Sequence, residues 1–517
     1  MGRLEAIPWS RALGVLLLVA LAARLAYLAL LDDFVGADEA VGGLMALDIA
    51  EGRDFPLLIW EAHYGGTLTS YLGAILFQWF SPSPFVYRLA SLPLGLVGVG
   101  AAAAAARILW GIGPALAAAL WLALGPPLLF AMSSQAVGGY PEVLCLGGLT
   151  VWLAARLGRE VPSGDRACRA WALLGAVGGF GTYSLALVLP LFVGAVLVVR
   201  RHRGGVGARE WGSLAFGFFL GFLPFVLYNL AHPGASVVRL AGRVLDVSRA
   251  EVGQAPSLLW LGVAKGLGYL WRLTRFPVLV LENVPTFLGL PSWGAWGLIA
   301  ATAGGVLLAH RAARGVGPRG SSAGFGLALV GWSGLATLLF LWILGLDRAR
   351  HLLPFYLLAS LGLAALWTIL AQCPRFLKGA GLGLLLLSNM VGTVRDARST
   401  GPRMSGLLSA LEARGVAFLY TDYFVAYPLV FLSRKAVLAS PLAGPINVER
   451  RPAYTRAVES SPHPAYVFAR DTEASAVFAR EMRQRGHAFR LEPVDGFDLY
   501  IPARPVHPNE LNLLRRF

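Results

Sequence analysis

Long apolar runs recur along roughly the first three-quarters of this 517-residue chain. A helix needs about 20 mainly apolar residues to cross the hydrocarbon core of a bilayer. The pattern predicts spans at 10–31, 86–107, 114–132, 141–156, 170–181, 183–199, 211–229, 293–310, 324–346, 353–371 and 380–394. The expectation is a polytopic α-helical membrane protein with about eleven transmembrane helices. Gly178, Gly179, Gly181 and Pro190 interrupt the stretch 170–199, which reads as two short helices or one long one. Ser10–Leu31 is longer than the roughly 7–15-residue apolar core of a signal peptide, so it reads as a retained first span.

The short polar connections set an orientation. Arg107; Arg156, Arg159, Arg166 and Arg169; Arg200, Arg201, Arg203 and Arg209; Arg311, Arg314 and Arg319; and Arg375 with Lys378 all fall on the side of the N-terminus. By the positive-inside rule that side is cytoplasmic. An odd span count then puts the C-terminus outside, together with 32–85, 133–140, 230–292 and 346–352. Every long connection shares that outer face, where the chemistry is expected.

Composition agrees with the pattern. The chain is 56% hydrophobic and 14% charged, against about 25% charged in soluble domains, and its mean hydropathy is +0.62. The net charge of +15 comes almost wholly from arginine, and the only lysines are Lys265, Lys378 and Lys435. In a soluble protein such an excess would suggest a nucleic-acid partner. Here topology accounts for it and none is expected. Cys145, Cys168 and Cys373 have no metal-ligand spacing.

The first outer loop, 32–85, opens with "DDFVGADEAVGGLMALD", which holds Asp32, Asp33, Asp38, Glu39 and Asp48. Residues 38–51 read as a helix lying along the membrane, with Val41, Leu44 and Met45 at helical spacing and Gly52 as its C-terminal cap. Residues 67–80 read as a second interfacial helix. After about residue 395 the pattern changes. "VAFLY", "KAVLA", "AYVFA", "HAFRLEPV" and "GFDLYIP" read as strands, and "MSGLLSALEARG" and "DTEASAVFAREMRQRG" as helices. The expected division is 1–394, a transmembrane catalytic domain, and 395–517, a small extracytoplasmic α/β domain.

Asp38 and Glu39 stand where the first loop helix starts. As an N-cap, Asp38 would serve the unpaired N–H groups and the helix dipole while the other acids solvate the loop. As a general base at the mouth of an outward cavity, it would take the proton of an attacking hydroxyl.

"ADEA", "GLMALDIAEGRDFP" and "YGGTLTSYLGAILFQWFSPSPFVYRL" resemble the first outer loop of the GT-C glycosyltransferases, the protein O-mannosyltransferase and aminoarabinose transferase superfamily. The similarity extends to "GGYPEVL" (138–144), "RHLLPFYLL" (350–358) and "YTDYFVAYPLVFLS" (420–433). The resemblance implies an inverting glycosyltransferase of the bacterial inner membrane. It would move a sugar from a polyprenyl-phosphate donor to an extracytoplasmic acceptor hydroxyl on an envelope glycan, lipid or protein. Asp38 matches the family's catalytic base, with Glu39 beside it. The polyprenyl tail stays in the bilayer, so the pocket belongs at headgroup depth.

The leaving phosphate needs cations or polarising donors beside it. Candidates are His63, Arg88, Arg350 and His351, with Lys265, Arg272 and Arg275. Arg350, at the start of a span, reads as a phosphate grip or a snorkelling anchor. Arg24 has the same two readings, with snorkelling favoured. Glu61 and His63 lack a clear third metal ligand and read as hydrogen-bonding partners of sugar or phosphate; no cofactor is expected. Glu142 reads as a substrate contact or a second acid near Asp38. Tyr64 and Tyr140 could stack on a sugar or belong to the aromatic belt, the default. Two features depart from the family. The segment "WEAHYGG" has no lysine, which aminoarabinose transferases carry there, and His351 stands where relatives more often have tyrosine.

A transporter or flippase for a lipid-linked glycan would show repeat symmetry and midplane ionisable groups, and neither is visible. A non-catalytic scaffold relative is the other alternative, and the intact Asp38–Glu39 pair argues against it.

The topology has a direct test. A reporter fused after Phe517 should be active only outside the cytoplasm, and one in the 200–211 loop only inside. A cytoplasmic C-terminus would mean a miscounted span.

Overall fold

The computed structural model describes residues 8–159, 164–238, 322–344, 346, 348–399, 401, 403–442 and 448–511. The expected span 293–310 and the candidates Lys265, Arg272 and Arg275 lie outside the described residues.

The chain opens with helix α1 (Trp9–Leu31), followed in the first loop by α2 (Ala37–Ala50), α3 (Leu68–Phe77) and α4 (Pro84–Leu89). Next come α5 (Leu92–Trp110), α6 (Ile112–Ala123), α7 (Pro127–Ser134), α8 (Tyr140–Arg159), α9 (Gly164–Ser184), α10 (Val188–His202) and α11 (Ala208–Ala231). After the undescribed stretch follow α12 (Ser322–Ile343), a 3-10 turn (Ala349–Leu352), α13 (Leu353–Ile369) and α14 (Arg375–Ser399). Six helical stretches among the described residues are long and apolar enough to cross a membrane. The pair α6–α7, bent by 77°, would make a seventh. Helices α8, α9 and α10 lie where three further spans are expected, and α10 has only 15 residues.

The glycines of 170–199 do not interrupt their helices. Gly175 and Gly179 of α9 face Gly217 and Gly221 of α11. A Cβ on any of the four would lie 2.0–2.2 Å from a backbone carbonyl oxygen of the other helix. These are small residues spaced four apart that let two helix backbones touch. Glycine here is a packing surface and not a breaker.

Arg24 does not snorkel. It is fully buried in α1. Its guanidinium donates to the carbonyls of Ala20, Leu122 and Ala123 and to Ser133 Oγ, at 3.2–3.3 Å. The last carbonyls of a helix have no intrahelical partner. The bend after α6 would leave those of Leu122 and Ala123 bare inside the protein, and Arg24 satisfies them.

Helix α2 packs inside the protein and not through a free apolar face. It is buried along most of its length, including Val41, Leu44 and Met45. Gly42 packs on the Tyr87 ring of α4, where a Cβ would come within 2.2 Å of the hydroxyl. Its C-terminal cap is as expected. Gly52 has φ +70°, its N–H donates to the Ile49 carbonyl, and Arg53 N–H reaches back to Asp48.

Beyond α14 come α15 (Ser405–Ala413), β1 (Phe418–Thr421), α16 (Tyr423–Leu432), β2 (Leu438–Pro441), α17 (Pro452–Glu459), β3 (Ala465–Ala469), α18 (Glu473–Gln484), β4 (Phe489–Val494) and β5 (Phe497–Pro502). The strands form one sheet in the order β2-β1-β3-β5-β4. β1 is parallel to β2 and β3, and β5 is antiparallel to β3 and β4. Helix α16 leaves this unit to pack on α2. Phe431 lies against Gly43, where a Cβ would meet its ring at 2.6 Å. Val41, Leu44 and Met45 share one apolar core with Val430, Phe431 and Leu419.

Candidate functional site

Helix α2 begins at Ala37, and its N-cap is Gly36, in an extended conformation with no side-chain cap bond. Asp38 is therefore not the N-cap. Its side chain is 41% exposed and held at both oxygens. Arg350 Nη1, from the turn before α13, donates to Oδ2 at 3.1 Å. The Tyr423 hydroxyl, from the first residue of α16, donates to Oδ1 at 2.7 Å. Arg350 lies over the Tyr140 ring, 5.8 Å from its centroid. Its Nε is buried with no hydrogen-bond partner among the described residues.

Arg450 approaches from the C-terminal unit. Its guanidinium lies 6.0 Å from the Tyr423 ring centroid, Nη1 donates to the Trp60 carbonyl at 3.4 Å, and its Nε is also buried and unpartnered among the described residues. Burial pushes the Tyr423 hydroxyl pKa up, the charge of Asp38 adds to that, and Arg450 opposes it. The phenol therefore stays protonated and remains a donor.

Glu39 points elsewhere. Adjacent helix residues diverge by about 100°, and this turns Glu39 into the protein. It forms a two-point ion pair with Arg88 of α4, Nε to Oε1 at 2.8 Å and Nη2 to Oε2 at 2.9 Å, with both side chains 0% exposed. Ala136 N–H adds a third bond to Oε1, and Arg88 also donates to the Phe34 carbonyl. Arg88 was expected on the outer face as a phosphate contact. It has no exposed surface, and Glu39 occupies its fork.

Glu142 is fully buried in the first turn of α8 and accepts from Thr69 N–H at 3.1 Å and Thr69 Oγ at 2.5 Å. It ties α8 to α3 instead of standing in an open loop. Glu61 is exposed, while His63 Nδ1 pairs with the Tyr228 hydroxyl of α11 at 2.8 Å. Both have positive φ, 52° and 59°, uncommon for non-glycine residues. Tyr64 is exposed, and His351 is buried in its turn. Among the described residues no three His, Cys, Asp or Glu side chains converge to hold a metal ion.

The structure thus brings together Asp38, Arg350 and Tyr140, and it sets Glu39, Arg88 and Glu142 apart in buried pairs. The sequence reading missed Tyr423 and Arg450. The aspartate–tyrosine step in "YTDYF" was a signal, since an acid before an apolar helix marks an N-cap. "ERRP" carried none.

No protein-family model matches the sequence, and no curated protein matches it. Solved structures do. ArnT from Cupriavidus metallidurans, an aminoarabinose transferase, bound to undecaprenyl phosphate, aligns at TM-score 0.50 and 16% identity over 95% of this chain and 98% of that one. The Archaeoglobus fulgidus oligosaccharyltransferase in complex with zinc and sulfate aligns at TM-score 0.55 and 13% identity, over 95% and 72%. The same archaeon's AglB, with an inhibitory peptide and a dolichol-phosphate, aligns at 0.51 and 12%, over 95% and 74%. The fold is GT-C. At these identities the likeness is one of architecture.

The two acids should separate on mutation. Glu39→Gln leaves Arg88 charged and buried, which typically costs about 3–5 kcal/mol. A large fall in thermal midpoint in detergent is expected. Asp38→Asn, at a half-exposed carboxylate, should change the midpoint little. Equal stability of the two variants would contradict the structural assignment of Glu39.

Proposed function

We propose that this protein is an integral-membrane inverting glycosyltransferase. It moves a sugar from a polyprenyl-phosphate donor to a hydroxyl of an extracytoplasmic glycan, lipid or protein. The observation that carries the reading is Asp38, a part-exposed carboxylate held between Arg350 and Tyr423. Beside it, two buried arginine N–H groups lack partners among the described residues. The neighbours bound to undecaprenyl phosphate and dolichol-phosphate support a lipid-phosphate partner.

In this reading Asp38 is the general base. The acceptor oxygen attacks the anomeric carbon on the face opposite the phosphate and gives its proton to Asp38. The bond from that carbon to the phosphate oxygen breaks, and its electron pair leaves with polyprenyl phosphate. Configuration inverts because one displacement occurs. Each carboxylate oxygen offers two lone-pair sites, so the partners of Asp38 leave room for the incoming proton. Arg350 has five N–H donors and gives one to Asp38. The others, with Arg450, face the charge that grows on the leaving phosphate. Tyr64, which is exposed, offers a ring face to the sugar, while Tyr140, 7% exposed, carries the Arg350 guanidinium over its ring. Glu61 and His63 are proposed as further substrate contacts, and His351, buried in its turn, as a support for Arg350 beside it in the chain. Glu39 acts by fixing the backbone that carries Asp38.

The proposed setting is a bacterial plasma membrane, with a cytoplasmic N-terminus, about eleven spans within 1–394 and the unit 395–517 outside the cytoplasm.

The test uses a panel of undecaprenyl-phosphate-linked hexoses and pentoses, with released undecaprenyl phosphate as the readout. A donor that the wild-type protein turns over serves for all variants. Asp38→Asn should lose about 10²–10⁴-fold in rate, the usual cost of a missing general base. Arg350→Ala should raise the donor KM, and Asp32→Asn, at an exposed pair with Arg403, should stay near wild type. Wild-type turnover by Asp38→Asn would sink the mechanism.

A further inference from the structure

We propose that Tyr423 is a positioning residue for Asp38, supplied by the C-terminal unit, so that the base is in place only when that unit is docked on α2. This rests on the reading of Asp38 as base. Four observations carry it.

First, an aspartate side chain turns about two bonds, and a single partner leaves it free to pivot. Arg350 holds Oδ2 at 3.1 Å and Tyr423 holds Oδ1 at 2.7 Å, from elements distant in sequence. Two anchors on two oxygens fix the plane of the carboxylate.

Second, Tyr423 is itself held. It is the first residue of α16, and the N-cap Asp422 accepts from Phe424 N–H at 2.7 Å and Val425 N–H at 3.1 Å. Its ring is 5% exposed and packs edge-on against Tyr427, with centroids 5.3 Å apart. A hydroxyl on so fixed a ring is a geometric reference rather than a passing contact.

Third, α2 and α16 meet along their length in the same sense. Asp38 meets Tyr423 at the start, Gly43 meets Phe431 in the middle, and Asp48 meets Lys435 just beyond the end, with Nζ to Oδ1 at 2.5 Å. The contact at Asp38 is one end of an extended docking seam.

Fourth, the surrounding charges leave this role to Tyr423. The groups facing Asp38 and its two partners are Arg348, Arg350, Arg450, Tyr64 and Tyr140. Among the described residues the only side-chain hydrogen bonds to Asp38 come from Arg350 and Tyr423. Arg350 also faces the proposed phosphate site, and the hydroxyl, itself hydrogen-bonded by Arg450, supplies the second anchor of the base.

The test compares wild type, Tyr423→Phe, protein carrying 3-fluorotyrosine at 423, and Asp38→Asn, with the undecaprenyl-phosphate donor chosen above. Removing the hydroxyl frees one oxygen of Asp38 and withdraws a hydrogen bond from its charged form. A misplaced catalytic group costs rate steeply, so kcat should fall about 10-fold or more while the donor KM changes little. The acid limb of the pH–rate profile should move to higher pH. Fluorotyrosine, a stronger donor of the same shape, should move that limb to lower pH. A purely structural tyrosine would move neither limb. Unchanged kcat and an unmoved acid limb in both tyrosine variants would overturn the proposal while leaving the Asp38 reading intact. Wild-type turnover by Asp38→Asn would instead remove the reading on which it rests. Should Tyr423→Phe fail to fold, the fluorotyrosine protein alone decides by the direction of its limb.

Discussion

Two charges with no exposed surface hold each other in this protein, and the rest of the site is built on them. Glu39 and Arg88 meet through two parallel hydrogen bonds. A charge buried without a partner is strongly unfavourable, so breaking such a pair is costly. The pair therefore pins the first turn of α2 to α4, and the Ala136 N–H bond pins it to the segment before α8. Asp38 is the residue just before Glu39 on the backbone. Once Glu39 is fixed inward, the helix turn fixes Asp38 outward, toward Arg350 and Tyr423. The two acids look alike in sequence. One is locked inside the frame, and the other stands part-exposed between Arg350 and Tyr423.

Most of the remaining acids of the first loop are matched to cations from beyond α14. Asp32 pairs with Arg403 at 2.8 Å. Asp48 meets Lys435 at 2.5 Å and Arg451 at 3.0 Å. Glu51 meets Lys435 at 3.1 Å, and Asp54 meets Arg451 at 3.0 Å. Arg451 also lies over the Trp60 ring, 4.4 Å from its centroid. Exposed pairs such as Asp32–Arg403 contribute roughly 0–1 kcal/mol each, and their value is in registry. Between them, Gly42 and Gly43 let α2 press on Tyr87 and Phe431. The acids gather after the first span because α2 is a wall shared by the membrane half and the C-terminal half.

Much of this was legible in the sequence. Period and length gave the positions of most helices, because apolar spans and a glycine cap are local signals. The alternation of strands and helices after 395 anticipated all five strands, because β-propensity and turn residues are local too. Partners were not legible. Nothing near Glu39 says that its cation is Arg88, 49 residues on. The apolar stripe of α2 suggested a membrane surface because the pattern shows what a face avoids and not what covers it. Here the cover is α16, nearly 400 residues away. The place of Arg24 is hidden for the same reason. A cation near the end of a span snorkels by default, unless a bent neighbour offers it bare carbonyls. Asp38 is singled out as a base by resemblance, while its N-cap alternative falls because the helix begins at Ala37, with Gly36 as its cap.

The most direct measurement is a structure of the detergent- or nanodisc-embedded protein with undecaprenyl phosphate bound, determined by cryo-electron microscopy. The account predicts the phosphate within hydrogen-bond distance of Arg350, on the N–H groups that Asp38 does not use, with the tail running along the membrane helices. The Asp38 carboxylate should stay on Tyr423, and the Glu39–Arg88 pair should be unchanged. A phosphate seated away from Arg350 and Arg450, with Asp38 far from any position a sugar on that phosphate could reach, would contradict it.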